Sequence, residues 1–592
     1  MRPDRARTIL AGDQPRGESI SVTLLPRVLA PLLALAVAGP AMADPARLAP
    51  ERMAVYARRQ MVAAAHPAAA TAGLEILRAG GSALDAAIAV QMVLGLVEPQ
   101  SSGIGGGAFL IHWSAAERRL VTWDGRETAP AATKPDQFLG PDGRPLRFME
   151  AVVGGLSVGV PGAVRMLEAA HRSDGRLPWA QLLQPAIRLA EEGFPMSPRL
   201  VASLQGDRAL AADPAAGALY YQADGQPKPV GTVLVNPAYA ETLRAIAETG
   251  ADALHTGPIA ADIVAAVTGA ARPGAMTEAD LAAYRPAERP PVCAAYRVWR
   301  VCGMGPPGSG GLAIAQVLGM VERHDLAAAG PSSPDAWHWL LEASRLAFAD
   351  RDRYVADPDF EPPPAGLLDR SYLAGRAALM RPDTTLGRAP AGTPPGRRAE
   401  RAPDASLEIP ATSHLVVVDR DGNAVSMTTT IEGPFGSKRM VRGFLLNNEL
   451  TDFSFVPEVD GRPVANRAGP GKRPRSSMSP TMVFDRDGRL VLAVGSPGGS
   501  RIPGYTLKAL IAMLDWDLDP QRAVSLPNLL NRNGPTELEA LPGTEALAEG
   551  LRRRGHEVRP LTAPSGLHAI RVLSDGLVGG ADPRREGVAV GD

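Results

Sequence analysis

The residues whose types could support nucleophilic chemistry are concentrated after residue 411. Hydroxyl side chains lie in or beside two predicted strands joined by a tight turn, at Thr412, Ser413, Thr428, Thr429 and Thr430. Two acids, Glu449 and Asp452, follow them, and then come Ser476, Ser477 and a glycine-rich loop at 495–500. A hydroxyl is a weak nucleophile that needs a neighbouring base. Because β-branched threonine is common in any strand, the ordered set rather than a single residue indicates a site.

A second nucleophile candidate is Ser157, because residues 155–159 (GLSVG) match the nucleophile elbow of α/β-hydrolases. That motif needs a helix directly after the serine, whereas residues 160–162 read VPG. Residues 103–108 (GIGGGA) are similar to a dinucleotide loop, but a predicted helix precedes them and a strand follows, the reverse of what phosphate binding needs. We therefore interpret this glycine run as a tight backbone turn near the active site.

Metal, nucleic-acid and membrane roles have little support in the composition. The nine histidines show no H-E-x-x-H pairing, and two cysteines are too few for a structural zinc site, so the sequence predicts no metal centre. The 592 residues carry a net charge of −1, which provides no broad basic surface for nucleic acid. No stretch after the N-terminal region is apolar enough to span a membrane.

Hydrophobic periodicity predicts the elements that must position the candidate residues. Helices are predicted at 68–79, 83–97, 163–171, 179–192, 238–248, 311–323 and 336–354. Strands are predicted at 109–113, 120–123, 412–419, 424–431, 491–494 and 569–572. Asp421 and Gly422 predict the hairpin turn between the strands at 412–419 and 424–431.

The segment before the first of these two strands has a different character. Residues 381–410 are rich in Pro, Gly, Ala and charge, which predicts an exposed and mobile linker. This linker leads directly into TSHLVVVD at 412–419, a sequence typical of a buried strand. Such a junction is unusual, and the candidate chemistry lies beside it.

The N-terminus and the cysteines indicate an exported protein. Basic residues, an apolar run at 28–38 and the small-x-small sequence Ala41-Met42-Ala43 predict a signal peptide over residues 1–43. Cys293 and Cys302 lie in a strand-like segment, where a hairpin could bring them together for oxidation after export.

The order of short motifs resembles the γ-glutamyltranspeptidase family over nearly the whole chain after the signal. In the first part these motifs include AHPAAATAGLEILRAGGSALDAAIA, VEPQSSGIGGGAF, WDGRETAP, VGVPG, PPGSGG and AFADRDRYVADPDF. In the second part they include TSHLVVVDRDGNAVSMTTT, FGS, LLNNELTDFS, KRPRSSMSPT, GSPGGSRIP and GADPRREG. The resemblance implies an α/β (α+β) fold, the four-layer αββα sandwich of N-terminal-nucleophile hydrolases.

The resemblance also implies self-cleavage between Ala411 and Thr412, which we expect the linker to leave exposed. Cleavage would give a large subunit of residues 44–411 and a small subunit of residues 412–592 that stay together. Thr412 would be the nucleophile, and its freed α-amino group, with an ordinary pKa of about 7.7–8.0, would be the base. The N–H groups of Gly498 and Gly499 would stabilise the oxyanion, and Thr430 would orient the nucleophile.

The same resemblance assigns residues to substrate binding. Arg126 matches the arginine that binds the α-carboxylate of a γ-glutamyl group. Glu449 and Asp452 match groups that hold the α-ammonium, while Ser476 and Ser477 match hydroxyls that complete the carboxylate site. No cofactor is implied. The implied partners are a small γ-glutamyl substrate, and an amino acid, a peptide or water as the acceptor, with no nucleic acid.

Three positions depart from the family pattern. Glu432 stands where glutamyl-specific members usually carry Asn, and an ionised Glu would repel a carboxylate or add an acid for the α-ammonium. The segment from Asp452 to Lys472 is shorter than the usual bacterial lid loop and has no Tyr, which predicts an open site that favours water. Ser413 replaces a Thr and keeps the hydroxyl.

Two principal hypotheses and two rivals follow. The main one is a periplasmic or secreted hydrolase of γ-glutamyl amides such as glutathione, with transfer as a second outcome. The close alternative is an acylase for another amide, such as a glutaryl β-lactam side chain, for which Glu432, Glu449 and Asp452 would lack a cationic partner. The rivals are an inactive periplasmic binding relative, which would show no turnover, and a serine hydrolase that uses Ser157.

Overall fold

The computed structural model describes residues 52–397 and 399–592, in which two seven-stranded sheets are stacked between helices. The predicted signal peptide of residues 1–43 lies outside the described residues and stays a prediction. Within the described residues, no helix is both long enough and apolar enough to cross a membrane.

Both large sheets combine strands from before and after residue 411. The spatial order in sheet 1 is Val55–Ala57, Leu577–Ala581, His568–Val572, Leu490–Gly495, Thr481–Phe484, Trp299–Gly303 and Val292–Tyr296. The spatial order in sheet 2 is Val588–Gly591, Met61–Ala64, Ser413–Val418, Ala424–Thr430, Gly107–Ser114, Arg119–Asp124 and Ala287–Arg289. Neighbouring strands are antiparallel. A cut at residue 411 would therefore leave both products hydrogen-bonded within both sheets.

Each sheet is covered on its outer face by a helical layer with its own hydrophobic core. The helices in the core on sheet 2 are Pro67–Arg78, Ala83–Val97, Ala163–Asp174, Trp179–Glu192, Pro198–Leu204, Arg208–Ala211, Pro214–Tyr220, Pro237–Thr249, Asp252–His255, Gly257–Thr268 and Glu278–Ala283. The helices in the core on sheet 1 are Gly310–Val321, Leu326–Ala329, Pro334–Tyr354, Arg370–Ala377, Ile502–Leu514, Pro520–Ser525 and Glu545–Arg553.

The strand Ser413–Val418 shows why the sequence there is continuously hydrophobic. Leu415 and Val417 pack in the core between sheet 2 and its helices, while Val416 and Val418 pack in the core between the two sheets. Because both faces of the strand are covered, alternation with polar residues is absent. This arrangement of helices, sheet, sheet and helices confirms the predicted αββα sandwich.

Shorter elements complete the described fold. A helix at Phe148–Val152 packs near the 3₁₀ turn Glu449–Asp452, and two further 3₁₀ turns lie at Ala365–Leu368 and Gly499–Arg501. Small sheets are formed by Phe194–Pro195 with Val233–Leu234, Met440–Val441 with Phe444–Leu445, Glu458–Val459 with Arg462–Pro463, and Leu529–Asn531 with Thr536–Leu538 and Val558–Pro560.

The predicted helices and strands are present with small differences at their ends. The helix Ala83–Val97 begins as predicted, because Ser82 and Asp85 form a capping box that satisfies the first backbone N–H groups. The helix predicted at 163–171 continues to Asp174. Cys293 and Cys302 are paired across the hairpin of Val292–Tyr296 and Trp299–Gly303 and form a disulfide, with their Cα atoms 4.1 Å apart.

The described residues of the linker form no helix or strand, but the linker is not exposed throughout. Its first residues contact the helix Pro334–Tyr354, where Nε2 of His338 donates to the carbonyl of Arg381 at 2.6 Å. Glu342 on the same helix accepts a hydrogen bond from the Leu386 N–H at 2.6 Å. These polar contacts hold the irregular backbone in place. They leave no periodic hydrophobic pattern in the sequence from which they could be predicted.

The two residues of the predicted cleavage bond are buried, so the expectation of an exposed Ala411–Thr412 bond is wrong. Asp404 is buried in an ion pair with Arg475, at 2.9 Å between carboxylate and guanidinium. Ala411 is only 2% exposed and Thr412 only 4% exposed. The physical reason is that acidic residues of the linker form buried ion pairs with arginines that are distant along the chain. The local composition of the linker cannot reveal these pairs.

Candidate active site

Thr412 directly precedes the strand Ser413–Val418 of sheet 2, next to the bond predicted to be cut. Its Oγ1 is 2.5 Å from the carbonyl oxygen of Ala411 and 3.3 Å from Oγ1 of Thr430. Thr430 ends the neighbouring strand, and its hydroxyl donates to the same carbonyl oxygen at 3.0 Å. The antiparallel register that pairs Ser413 with Thr429 brings the two hydroxyls together. Two hydroxyl groups therefore flank the carbonyl of the predicted scissile bond.

Residues that the sequence did not single out hold Thr412 in place. Nη1 of Arg585 donates to the backbone oxygen of Thr412 at 2.8 Å. The Ser413 hydroxyl donates to Oε2 of buried Glu98 at 2.7 Å. Glu98 also pairs with Arg199 at 2.5 Å. Glu98 and Arg585 lie in the family motifs VEPQSSGIGGGAF and GADPRREG, but they are far from Thr412 along the chain, so no spacing linked them to it.

The glycine-rich loop follows the end of the strand Leu490–Gly495. Gly498 and Gly499 have φ angles of 139° and 58°, in a region that favours glycine. A Cβ at Gly499 would lie 2.8 Å from the backbone oxygen of Glu408, so only glycine permits this close approach to the linker. Gly499 lines the same pocket as Thr412, and Gly498 precedes it in the loop.

Arg126 occupies the centre of a buried group of acids. Its guanidinium contacts the carboxylates of Glu449 and Asp452, the latter at 2.5 Å. It also donates to the backbone oxygens of Pro474 at 3.1 Å and Arg475 at 2.9 Å. Glu449 and Asp452 lie together because they begin and end one 3₁₀ turn. The structure therefore joins three predicted binding residues into a single cluster.

The acids of this cluster lack enough cationic partners. Burial raises the pKa of Asp452 well above its usual range, although the Arg126 guanidinium opposes that shift. Burial also raises the pKa of Glu449 against the same opposing charge. Among the described residues, Oδ1 of Asp452 has no hydrogen-bond partner, and Oε2 of Glu449 has no donor other than the neighbouring buried carboxyl of Glu127. A buried carboxylate oxygen without a partner is costly, so this cluster is suited to receive a cation.

The protonation state of Glu432 in the structure differs from the ionised state that the sequence analysis assumed. The backbone of Glu432 has a φ of 73°. Its carboxyl accepts hydrogen bonds from the Ile409 N–H at 3.1 Å and from Nδ2 of Asn448 at 2.6 Å. Burial, together with the nearby charge of Glu449, raises the pKa of Glu432 to about 8. Near pH 7 the group is therefore mostly protonated in the uncut chain, and it contacts the linker.

One small pocket collects nearly all the predicted site residues. Those that line it are Arg126, Thr412, Thr430, Glu432, Glu449, Asp452, Ser476, Ser477 and Gly499. Two linker residues, Glu408 and Ile409, also line it, together with Met478 and Ile502. The free volume is ≈ 20 Å³, about enough for one water molecule. The linker therefore fills the site of the uncut chain.

The rival nucleophile lies outside this pocket. Ser157 is buried, and its hydroxyl donates to the backbone oxygen of Val152 at 2.7 Å. The glycine run at 103–108 forms the expected tight turn near the site, since a Cβ at Gly106 would lie 2.0 Å from the backbone oxygen of Thr430. Close packing against the end of the strand Ala424–Thr430 thus explains this run without a nucleotide.

A buried group that the sequence did not predict brings together His338, Glu342 and His556. Nδ1 of His338 and Nε2 of His556 are hydrogen-bonded at 2.8 Å. The other ring nitrogens contact the Arg381 carbonyl at 2.6 Å and the Thr536 hydroxyl at 3.0 Å. Hydrogen bonds within the protein thus engage all four ring nitrogens.

Arg351 and Glu408 are two further residues beside the pocket that sequence reasoning missed. Arg351 lies on the helix Pro334–Tyr354, four residues after the buried Ala347, so helical spacing could have placed it on the buried face. Arg353, two residues later, is only partly buried. For Glu408, the composition of the linker gave no signal of burial.

Similarity to known proteins agrees with this geometry. Residues 69–592 match the family model described as gamma-glutamyltranspeptidase. The glutathione hydrolase proenzyme of Escherichia coli is 36% identical over 542 residues, covering 90% of this chain and 91% of the relative. The acylase ACY 1 proenzyme of a Pseudomonas strain is 38% identical over 553 residues, covering 91% and 95%. The crystal structure of cephalosporin acylase from Bacillus halodurans has a TM-score of 0.79 and 29% identity, covering 93% of this chain and 99% of that one.

Sequence and fold therefore agree with the site, and the chain belongs to the γ-glutamyltranspeptidase family.

Proposed function

We propose that this chain is an exported precursor that cuts itself between Ala411 and Thr412 and then acts on γ-glutamyl amides. Its products would be a large subunit of residues 44–411 and a small subunit of residues 412–592, located in the periplasm or secreted. The strands that both subunits contribute to sheets 1 and 2 support their continued association.

The cut begins with the Thr412 hydroxyl beside the Ala411 carbonyl. Oγ1 attacks the carbonyl carbon, the C–N bond breaks, and a proton passes to the nitrogen, which becomes the free α-amino group. Water then hydrolyses the resulting ester, restores the hydroxyl and leaves Ala411 with a carboxylate. The Thr430 hydroxyl donates to the carbonyl oxygen at 3.0 Å, where negative charge develops during the attack.

Turnover uses the same hydroxyl after cleavage. The new α-amino group of Thr412 takes the hydroxyl proton, directly or through a water, since its ordinary pKa is about 7.7–8.0. The hydroxyl forms an acyl ester with the substrate and expels the amine, and water or an amino acid then releases the acyl group. Gly498 and Gly499 are proposed to donate their N–H groups to the oxyanion.

The observation that favours a γ-glutamyl substrate is that, within the described part of the chain, Oδ1 of Asp452 has no hydrogen-bond partner and Oε2 of Glu449 has only the carboxyl of Glu127. The α-ammonium of a γ-glutamyl group is a compact cation with three donors, which suits two buried acids. Ser476 and Ser477 line the same pocket and offer hydroxyls to the α-carboxylate, with Arg126 nearby. Substrates of the glutathione type, with water or an amino acid or peptide as acceptor, fit this arrangement without a cofactor.

A glutaryl acylase is the second candidate, supported by the similarity to acylases. A glutaryl group has the terminal carboxylate but lacks the ammonium. It would leave these oxygens of Glu449 and Asp452 without a cationic partner, which is why we place this candidate second.

The test combines intact masses with two substrates. The wild-type protein should give two chains, the smaller beginning at Thr412, whereas Thr412→Ala should remain whole. The cleaved enzyme should hydrolyse γ-glutamyl anilide with a kcat/KM about 10-fold or more above that for glutaryl anilide. A whole and fully active wild type would refute the mechanism, and a preference for the glutaryl substrate would favour the acylase.

A further inference from the structure

The linker places a carboxylate inside the candidate active site. Glu408 lies three residues before Ala411, lines the pocket and is only 9% exposed. Its neighbour Ile409 donates its N–H to Glu432, and Gly499 lies against the Glu408 backbone. The segment before the scissile bond is thus bound in the pocket by residues on two sides.

The guanidinium of Arg351 binds the Glu408 carboxylate. Its Nη2 contacts Oε1 of Glu408 and lies 2.6 Å from Oγ of Ser477. Burial would raise the pKa of Glu408, but the charges of Arg351 and Arg475 lower it below its ordinary value. The carboxylate is therefore ionised and bound by a guanidinium beside a serine hydroxyl, the groups that commonly bind a carboxylate.

The remaining contacts of Arg351 fix the orientation of its guanidinium group. Its Nε donates to the Ser309 hydroxyl at 3.0 Å, and its Nη1 donates to Asp352 at 2.7 Å. Because neither partner belongs to the linker, Arg351 keeps them after cleavage. Only Nη2 would lose its carboxylate if the linker left the pocket, and that atom already lies at the pocket residue Ser477.

We propose that Arg351 and Ser477 form a carboxylate-binding subsite, which Glu408 occupies in the uncut chain and the acyl-side carboxylate of the substrate occupies after cleavage. This inference rests on the proposed function. It assigns Arg351 to substrate binding, next to the cluster in which Arg126 already contacts two protein carboxylates. Glu408 is then a built-in substitute for the substrate, since free space for one water cannot admit a glutamyl group.

The first test measures binding without turnover, in a chain kept whole by Thr412→Ala and checked by intact mass. L-glutamate should not change the melting temperature while Glu408 fills the subsite. Adding Glu408→Ala should open it, so that L-glutamate or glutarate raises the melting temperature, and Arg351→Gln should abolish this increase. Asp404→Ala is the matched control, because it removes a linker carboxylate bound to Arg475 and should not permit stabilisation. If the ligands change the melting temperature equally in the chains with and without the Glu408→Ala substitution, the proposal is overturned.

The second test measures turnover by the cleaved enzyme with anilides, whose leaving group carries no carboxylate. Arg351→Gln should raise KM for γ-glutamyl anilide about 10-fold or more and leave KM for 4-aminobutanoyl anilide, which lacks the α-carboxylate, unchanged. Arg351→Lys should recover part of the loss. Equal changes for both substrates would assign Arg351 a merely structural role. If the wild type cleaves no γ-glutamyl anilide, the proposed function fails, while the first test still reports on the subsite.

Discussion

Two buried arginines, Arg126 and Arg351, contact residues that line one small pocket, and they differ in where their carboxylate partners come from. Arg126 is paired with Glu449 and Asp452, which belong to a fixed 3₁₀ turn. Arg351 is paired with Asp352 on its own helix and with Glu408 on the linker. Both ion pairs are desolvated, but only the second depends on a segment whose covalent connection is proposed to be cut.

The difference separates a permanent part of the site from a replaceable one. Around Arg126 the acids exceed the cations, so the cluster offers a place for a positive group. Around Arg351 the guanidinium Nη2 contacts Glu408, and if Glu408 leaves, this contact offers a place for a negative group. The α-carbon end of a γ-glutamyl group carries one ammonium and one carboxylate. It therefore supplies a positive group for the acids around Arg126 and a negative group for Arg351.

The largest expected effect comes from removing the permanent cation. In the whole chain made by Thr412→Ala, Arg126→Gln should lower the free energy of unfolding by about 3–5 kcal/mol, because two buried acids lose their partner. Urea denaturation measures this loss. Arg442→Gln is the control, since it breaks an exposed pair with Asp262 and should cost less than about 1 kcal/mol. A loss at Arg126 no larger than the control would contradict a desolvated cluster.

The next effect concerns the cation that the acid cluster is proposed to bind. Asp452→Asn in the cleaved enzyme should raise the inhibition constant of L-glutamate about 10- to 100-fold, because the α-ammonium loses a charged acceptor. The inhibition constant of glutarate, which has no ammonium, should change little. Competition against γ-glutamyl anilide measures both constants. A parallel rise for the two inhibitors would instead indicate general damage to the pocket.

A smaller effect should depend on cleavage itself. Glu408→Gln should lower the free energy of unfolding of the whole chain by about 1–3 kcal/mol, since a charge-assisted contact to Arg351 is lost. The same change should leave the stability of the cleaved enzyme nearly unaltered, because the released linker no longer contributes. Glu400→Gln, at an exposed position, serves as control. Similar losses before and after cleavage would show that Glu408 stays bound.

A further effect is a change in pH dependence at Glu432. Its folded pKa of about 8 lies above its ordinary value of 4.5, so the folded chain retains a proton that the unfolded chain releases. Stability should therefore fall as pH rises from about 4.5 to 8 and level off above that. Glu432→Gln, in the Thr412→Ala background, should remove this part of the fall, as seen in melting temperatures across the window. An unchanged pH profile would contradict the raised pKa.

Much of the fold could be predicted because its signals are local. The strand Ser413–Val418 is continuously hydrophobic, and the helix Ala83–Val97 carries its own capping box. The candidate residues Thr412, Thr430, Glu449 and Asp452 were recognised from short motifs whose order resembles the family. Their placement in one pocket agrees with that prediction, whereas their chemical roles stay proposals.

The buried contacts of the linker and the position of Arg351 beside the pocket were missed because these contacts are not local. Arg351 and Arg353 have the same charge and lie in one motif, yet only the first faces the buried side of its helix. Glu408 is 57 residues away from Arg351 along the chain. A Pro- and Gly-rich composition indicates the absence of regular structure, but it carries no information on which distant charge will hold a particular carboxylate.

The sequence by itself determined the elements, the family and the identity of the candidate residues, since hydrophobic period, caps and motif order are properties of neighbouring residues. Only the tertiary structure decided which charges meet, that the Ala411–Thr412 bond is buried, and that Glu408 fills the pocket. The physical reason is that burial and ion pairing depend on segments brought together by the stacked sheets. These interactions set the pKa values and the free space that govern the proposed chemistry.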